Sequence, residues 1–332
     1  MRLYSALTAT AVLAGVVAYP ISQRLQEPTS APSAAPQAAP ETIPVTRIAA
    51  NSAPPAAIGA LAQTDRAAPA QPVCPGNPDA LGVSRVVEID TTGGPGFGFE
   101  HFKIHNFLRQ NEVVLTFDDG PWPNSTPAVL KALADQCVKA TFFIIGKHAT
   151  WHPDILRDVA AQGHTVGTHT WSHANLAKKK PQEAKEEIEK GISAVKAALG
   201  SANAPFFRFP SLNHPPELVT YLGERNIGIF STDLDSFDFK MRKPEKMIEG
   251  LMAKVQKHGK GILLMHDFQQ VTAHALPELL KQLKAGGYKV VHLKAKDPVT
   301  SLSQYDEMVT KDARLPTVSS KPTASVVKTI AE

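Results

Sequence analysis

The sequence has only two cysteines among its 332 residues, so it can form at most one intramolecular disulfide. It has no internal repeat, and it has no basic stripe with interleaved aromatic residues. Its net charge of +4 is the sum of many charges of both signs. We therefore predict no nucleic-acid partner. The length is sufficient for one large α/β domain with additional segments, and it does not require a second folded domain.

The amino-terminal part is poor in periodic hydrophobicity. Residues 1–22 begin with Met1-Arg2 and continue with a mostly apolar stretch. We interpret them as a signal peptide, with Val16-Val17-Ala18 as the cleavage box, or as an uncleaved membrane anchor, because residues 3–21 approach the length that spans a bilayer. Residues 23–73 are dominated by Ala and Pro, which predicts a disordered linker. Either interpretation places the rest of the chain outside the cytoplasm, in the periplasm or as a secreted or inner-membrane-anchored protein.

Short apolar runs alternate with helical patterns through the rest of the chain, which predicts a parallel sheet wrapped by helices. Several of the predicted helices begin with a proline, which the first helical turn accepts. The predicted strands lie at residues 113–117, 140–145, 165–168, 206–209, 227–231, 262–265 and 289–293, and the helices at 127–136, 153–162, 181–199, 215–225, 244–258 and 273–285.

About seven strands favour a closed α/β barrel, whose active site lies at the carboxyl ends of the strands. The alternative is an open doubly wound sheet. However, the glycine-rich stretch at residues 93–98 has no suitable strand before it and no helix start after it, so we interpret it as a flexible loop. We expect residues 74–111 to form an extension packed on the barrel, and residues 295–332 to form a largely disordered tail.

Two aspartates, Asp118 and Asp119, follow the first of these strands. An Asp-Asp pair is most often a solvated turn, but here it stands at the carboxyl end of a strand, where α/β folds place their chemistry. Downstream, His169 and His173 are four residues apart, a spacing that lets both imidazoles reach one ion. Two imidazoles and one carboxylate suit a divalent metal such as zinc and leave a coordination position open. The second aspartate then remains free for proton transfer.

Three further segments place polar residues beside apolar runs. Arg208 follows a strand, where it is either a surface residue or a guanidinium that holds Asp118 in place by paired hydrogen bonds. Asp238 and Phe239 end the segment 232–239, and His266 is the second-last residue of the segment 261–267.

In this order, the five segments resemble the motifs of the polysaccharide deacetylases that share the NodB homology domain, also called carbohydrate esterase family 4. The resemblance covers roughly residues 112–294, and five motifs in the right order make a chance match improbable. It implies a distorted (β/α)7 barrel of the NodB type. It also implies one bound divalent metal, zinc in the first place, with cobalt and nickel as alternatives.

The resemblance assigns a role to each residue of these motifs. It makes Asp119, His169 and His173 the metal ligands and Asp118 the general base, oriented by Arg208. It makes His266 the general acid, and Asp238 the carboxylate that orients the imidazole and raises its pKa. The backbone N–H of Ser211 would stabilise the oxyanion. Where the family usually has Tyr this chain has Ser211, where it often has Trp it has Phe239, and where it usually has Pro it has Ala174.

The function that these residues imply is metal-dependent removal of N-acetyl groups from N-acetylglucosamine units of an extracytoplasmic glycan. An O-acetyl esterase acting on xylan would use the same site, and a catalytically weakened glycan-binding homologue is a further alternative because of Ser211 and Phe239. The two-histidine, one-carboxylate set also occurs in iron oxygenases, but the additional acid and base groups favour hydrolysis. In an oxidising compartment Cys74 and Cys137 would form a disulfide, the alternative being two buried thiols.

Overall fold

The computed structural model describes residues 74–104 and 107–312 of the chain. The predicted signal peptide or anchor at residues 1–22 and the predicted linker at residues 23–73 lie outside the described residues. Within the described part of the chain, each helix is too short or too polar to cross a membrane.

The described part of the chain contains ten strands and eight α-helices. The strands are β1 (Val83–Ile89), β2 (Gly96–Phe97), β3 (Glu112–Asp118), β4 (Thr141–Ile144), β5 (Thr165–Thr168), β6 (Phe206–Phe207), β7 (Gly228–Phe230), β8 (Leu234–Asp235), β9 (Gly261–His266) and β10 (Lys289–Ala295). The helices are α1 (Ser125–Asp135), α2 (Gly146–Trp151), α3 (Pro153–Ala161), α4 (Pro181–Leu199), α5 (Pro216–Glu224), α6 (Pro244–His258), α7 (Gln270–Ala285) and α8 (Ser303–Asp312).

The strands form one sheet whose ladders are parallel. β3 pairs with β4, β4 with β5, β5 with β6 and β6 with β7. The chain then runs from β7 through residues 231–233 directly into β8, which pairs with β9, and β9 pairs with β3. The sheet therefore curves round into a distorted barrel built from β3 to β9, which confirms the predicted fold class.

The seven predicted strands are all present, but they are not the seven strands of the barrel. The run at residues 289–293 forms β10, which lies beside β1 and pairs with only the first two residues of β3. The seventh barrel strand is β8, whose two residues belong to the segment 232–239. A two-residue strand has no periodic pattern of its own, because its conformation is set by pairing with β9.

The core lies between the barrel and the helices around it. All seven residues of β3 are buried, as a strand covered on both faces requires. Leu115 and Phe117 pack in the same apolar cluster as Leu133 of α1 and Leu279 of α7. These strands and helices give the mouth of the barrel a rigid support.

The segment before the barrel is attached to the rest of the fold at four points. β1 pairs along its length with β10, and β2 pairs with β7. Arg85 of β1 donates two hydrogen bonds to the buried carboxylate of Glu112, at 2.8 and 2.6 Å. Cys74 and Cys137 form a disulfide with a Cα–Cα distance of 5.7 Å. Of the two predicted alternatives, the structure therefore has the disulfide and not the two buried thiols.

The prediction of a largely disordered tail from residue 295 is wrong for its first part. Residues 303–312 form α8, in which Tyr305 and Val309 are buried one helical turn apart. Lys196 of α4 forms an ion pair with Asp306 at 3.0 Å. This short amphipathic pattern was overlooked in the sequence because only two apolar residues carry it. Residues 313–332 lie outside the described residues.

Candidate active site

The predicted site residues meet at the carboxyl-end mouth of the barrel. Asp118 ends β3 and pairs in register with His266, which ends β9. His169 follows the last residue of β5, and Arg208 follows β6. Because the ladders are parallel, these strand ends lie at one edge of the sheet, where residues distant in sequence come together.

Asp119, His169 and His173 form a group that could hold a metal ion. The Oδ1 atom of Asp119 lies 3.5 Å from Nε2 of His169 and 3.5 Å from Nε2 of His173. This Oδ1 is buried and has no hydrogen-bond partner, which is costly unless a cation or proton donor meets it. The donor set of two imidazoles and one carboxylate fits a divalent ion with an open coordination position.

His169 is held in the tautomer that a metal ligand needs. Its Nδ1–H donates to the carbonyl oxygen of Arg208 at 2.7 Å, so the lone pair of Nε2 faces Asp119. Burial lowers the pKa of His169, although the charges of Asp118 and Asp119 oppose this effect. The ring is therefore kept neutral, as ligation requires.

The backbone around Asp119 takes an unusual conformation that aims its side chain. Asp119 has φ of 73° and His173 has φ of 57°, both in the left-handed region. The next residue, Gly120, has no room for a side chain, because a Cβ there would lie 2.1 Å from Oδ2 of Asp267. The Asp-Asp-Gly sequence thus belongs to a tight turn at the end of β3.

Arg208 is fully buried and binds Asp118 from inside the barrel. Its Nη1 donates to Asp118 Oδ1 at 2.7 Å and to Thr116 Oγ1 at 2.8 Å. Its Nε and Nη2 donate to the carbonyl oxygens of Phe230 and Ser231. One oxygen of Asp118 is therefore fixed, while Oδ2 lies on the side of His169, 3.9 Å from its Nε2.

His266 and Asp238 form a second charged pair. The Nδ1–H of His266 donates to Asp238 Oδ1 at 2.6 Å, and the backbone N–H of His266 donates to Oδ2 at 2.7 Å. Burial lowers the pKa of His266, but the hydrogen bond and charge of Asp238, together with Asp118 and Asp119, raise it to about 9. The Nε2 of the protonated ring lies 4.0 Å from Asp119 Oδ2.

These residues line a cavity of about 390 Å³. Such a volume is within the roughly 300–1,000 Å³ of small-molecule sites. The cavity is lined by both carboxylates and imidazoles and by apolar side chains, so it suits a ligand with both polar and apolar faces. The lining comprises Asp118, Asp119, His169, His173, Phe209, Ser211, Leu212, Asp235, Phe239, Leu264, His266 and Phe268.

Sequence and structure comparisons give a consistent result. The family profile described as polysaccharide deacetylase matches residues 106–227. The solved structure of the Bc1960 peptidoglycan N-acetylglucosamine deacetylase is 30% identical, with a TM-score of 0.52, and the similarity covers 57% of this chain and 87% of that one. The chain belongs to the polysaccharide deacetylase family.

Two other relatives of this family are more similar in sequence. The peptidoglycan deacetylase Bd3279 of Bdellovibrio bacteriovorus is 34% identical with a TM-score of 0.59, over 64% of this chain and 59% of that one. The peptidoglycan-N-acetylglucosamine deacetylase PgdA of Listeria monocytogenes is 35% identical over 182 residues, which are 54% of this chain and 37% of that protein. The chain thus matches less than two thirds of the length of these two relatives.

Two of the three departures from the usual family motifs, Ser211 and Phe239, line the cavity. Ser211 lines the cavity with φ of 54° and ψ of 21°. Phe239 is half exposed, and its ring meets His266 edge-on at 5.7 Å between centroids. Phe239 therefore provides an apolar wall beside the imidazole.

Two residues near the candidate site were overlooked in the sequence. Asp267 is buried next to His266, and it accepts a hydrogen bond from Thr126 at 2.5 Å. Burial raises the pKa of Asp267 to about 7. Thr272 donates to Asp238 Oδ2 at 2.5 Å, so it helps to hold the carboxylate that pairs with His266. Asp267 could have been found from its position next to His266, whereas Thr272 lies within a helical pattern that gives no such signal.

Proposed function

We propose that this protein is a metal-dependent deacetylase that removes N-acetyl groups from N-acetylglucosamine units of an extracytoplasmic polysaccharide, of the chitooligosaccharide or peptidoglycan type. The observation that carries the proposal is the buried, unpaired Oδ1 of Asp119 between two imidazole nitrogens, with a held carboxylate and a protonated imidazole beside it. Family membership and the peptidoglycan deacetylases among the relatives support the substrate class.

In this proposal Asp119, His169 and His173 hold one divalent metal, with zinc as the first choice and cobalt and nickel as alternatives. A metal in this position supplies Lewis acidity towards the acetyl carbonyl and towards a water molecule. The neutral tautomer of His169, fixed by the carbonyl of Arg208, fits this assignment.

Asp118 serves as the general base. Its Oδ2 takes the proton of the attacking water, while Oδ1 stays bound to Arg208. The hydrogen bond from the guanidinium stops the carboxylate from rotating away. The backbone N–H of Ser211 donates to the oxyanion as negative charge develops on the former carbonyl oxygen.

His266 serves as the general acid. Asp238 holds its Nδ1–H at 2.6 Å, so Nε2 is the atom that gives a proton to the leaving sugar amine. The carboxylate keeps the imidazole protonated until the C–N bond breaks. Phe239 shields this pair from water on the rim side, and also forms part of the substrate surface.

The proposed location is outside the cytoplasm. The disulfide between Cys74 and Cys137 supports an oxidising compartment, the periplasm or the exterior. We keep a cleaved signal peptide and an inner-membrane anchor as the two alternatives for residues 1–22. We propose residues 112–294 as the catalytic domain, with residues 74–111 as an extension packed on it.

The test is acetate release by the full chain, stripped of metal and reloaded with zinc or cobalt. The substrates are chitooligosaccharides, peptidoglycan and acetylated xylan, and the variants are Asp118→Asn and, as a control carboxylate on the surface of α1, Asp135→Asn. We expect metal-dependent release from the N-acetylated glycans that Asp118→Asn abolishes and Asp135→Asn retains. Release from xylan alone would make the protein an O-acetyl esterase. Glycan binding without release at any metal loading would make it a binding protein.

A further inference from the structure

Two tryptophans and two histidines form an exposed aromatic cluster outside the cavity. Trp122 is 38% and Trp151 is 57% exposed. The Trp122 ring lies 5.1 Å from His148 and 5.5 Å from His152, and the His148 ring lies 5.2 Å from Trp151. We name these four residues the tryptophan surface. Exposing two large aromatic rings side by side is unfavourable unless a ligand covers them.

The tryptophan surface is joined by a hydrogen bond to the turn that carries Asp119, one of the candidate metal ligands. His148 donates its Nδ1–H to the backbone carbonyl of Asp119 at 2.6 Å. Trp122 follows Asp119 by three residues, and its backbone N–H donates to Thr126 Oγ1 at 2.8 Å. The surface therefore begins where the turn that carries Asp119 ends.

The same surface is also joined to the histidine loop. The backbone N–H groups of Gly146 and Lys147, at the start of α2, donate to the carbonyl oxygens of Thr170 and Trp171, each at 2.9 Å. A side chain at residue 146 would collide with Trp171, since a Cβ there would lie 2.9 Å from its ring. α2 is thus held against the loop that carries His169 and His173, and the position of the tryptophans relative to the cavity is fixed.

We propose that the tryptophan surface binds a further sugar ring of the glycan whose acetylated residue occupies the cavity. This inference rests on the proposed function. A cavity of about 390 Å³ lies at the lower end of the range for small-molecule sites, so it accommodates little more than the reacting residue of a polymer. The next residues of the chain must cross the rim, and the tryptophan surface is continuous with that rim through Asp119.

The chemistry of the surface suits a pyranose ring. One face of such a ring presents C–H groups, which pack on the electron-rich face of an indole, while the hydroxyl groups around its edge find donors in the indole N–H groups. Aromatic rings with few rotatable bonds lose little entropy when they bind. An aliphatic patch would provide the apolar contact without the donors.

The test compares kcat/KM for N-acetylglucosamine, which has no further sugar ring, and for the chitooligosaccharide of six residues in the wild type, Trp151→Ala, Trp122→Ala and the conservative variant Trp151→Tyr. A stacked aromatic contributes about 0.5–1.5 kcal/mol, so each alanine variant should lower kcat/KM for the hexamer about 3- to 10-fold. The value for the single sugar should stay unchanged, and Trp151→Tyr should recover most of the loss. Equal losses on both substrates, or no loss on either, would overturn the proposal.

A binding measurement separates this inference from the proposed function. The chain has three tryptophans, and Trp171 remains as a reporter in each alanine variant. We expect the hexamer to change the fluorescence of the wild type and to have about 3- to 10-fold weaker affinity for Trp151→Ala and Trp122→Ala. If no acetate is released by the wild type, the deacetylase assignment fails, and the titration still decides the binding role. Unchanged affinity in both variants would reject the tryptophan surface.

Discussion

Arg208 Nη1 lies 2.7 Å from Asp118 Oδ1, and both side chains are buried inside the mouth of the barrel. The guanidinium also stacks over the ring of Phe143, at 4.3 Å from its centroid. A buried charge pair is weak evidence for stability, because desolvation offsets the attraction. The Arg208–Asp118 pair instead orients the carboxylate, because it leaves the second oxygen of Asp118 facing His169.

We expect Arg208→Lys to lower kcat about 100-fold, since a base displaced by about 1 Å loses this much. A lysine cannot reach Asp118, Thr116 and two carbonyl oxygens from one planar group. The measurement is kcat with the metal present, together with the melting temperature. The matched control is Arg225→Lys, which loosens the pair with Glu189 between α5 and α4. It should lower the melting temperature and leave kcat unchanged, whereas an unchanged kcat in Arg208→Lys would contradict the orienting role.

Metal binding should stabilise the folded chain. A ligand at 100 times its Kd adds about 2.7 kcal/mol of stability, which is roughly 5–11 °C in melting temperature for a domain of this class. We expect zinc to produce such a shift in the wild type and none in Asp119→Ala, which lacks the carboxylate between the two imidazoles. Asp135→Ala is the control, and it should respond like the wild type. A full shift in Asp119→Ala would place the metal elsewhere.

The strands and helices with strong local patterns could be predicted from the sequence. The β3 run is apolar throughout, and α4 and α6 begin at prolines that mark their first turns. β1 could not be predicted in this way, because Arg85 interrupts its pattern and finds its partner Glu112 only in the folded chain. Likewise, β8 exists only because β9 lies beside it.

The residues of the candidate site also divide into those that could be predicted from the sequence and those that could not. The chemistry of Asp119, His169 and His173 could be predicted from residue types and spacing, because ligands must come from a small set of side chains. The position of Asp267 next to His266 is visible in the sequence, but its close approach to Gly120 is not, because that contact forms only in the folded chain. The tryptophan surface was overlooked because ring contacts between the loop after β3, α2 and the residue that follows α2 have no sequence pattern.

The disulfide should stabilise the chain mainly through the unfolded state. Cys74 and Cys137 are 63 residues apart, and a closed loop of this length corresponds to about 4 kcal/mol in the chain-entropy description. We expect Cys137→Ser to lower the melting temperature by roughly 8–16 °C, with activity retained below the transition. Cys74→Ser and the double variant should show the same loss, since all three remove one bond. A larger loss in the double variant would show that the thiols act separately.

Two buried histidines beneath the barrel should make stability depend on pH. Burial lowers the pKa of His164 to about 3 and that of His292 to about 4, and the positive charges of Lys139 and Lys294 add to the effect. Unfolding restores a pKa of about 6.5. Protonation of these two residues therefore favours the unfolded chain, so their contribution to stability is complete above about pH 6.5 and falls as the pH decreases towards 4.

Each of these histidines contributes at most about 1.4 kcal/mol per pH unit in that window. We expect His164→Asn and His292→Gln to flatten the dependence of the unfolding free energy on pH. Asn keeps an acceptor for the N–H of Ala140, Gln keeps a donor for Thr165 Oγ1, and both variants remove the titration. The measurement is denaturant unfolding at pH 7.5, 6, 5 and 4. His258→Gln, an exposed histidine on α6, is the control. Parallel curves for the wild type and both buried variants would contradict this account.

Ser211 stands where the family usually has tyrosine, and its proposed role depends on its backbone N–H rather than on its side chain. With φ of 54° the residue lies in the left-handed region, which glycine adopts without strain. If residue 211 stabilises the oxyanion only through its backbone N–H, Ser211→Gly should keep kcat within about threefold. Loss of an oxyanion donor would cost about 100-fold or more. Ser211→Ala should behave in the same way, apart from a small loss of stability. The measurement is kcat and KM on chitooligosaccharides for both variants. A 100-fold loss of kcat in both would show that the hydroxyl group acts on the substrate, and a rise in KM alone would place Ser211 in substrate binding.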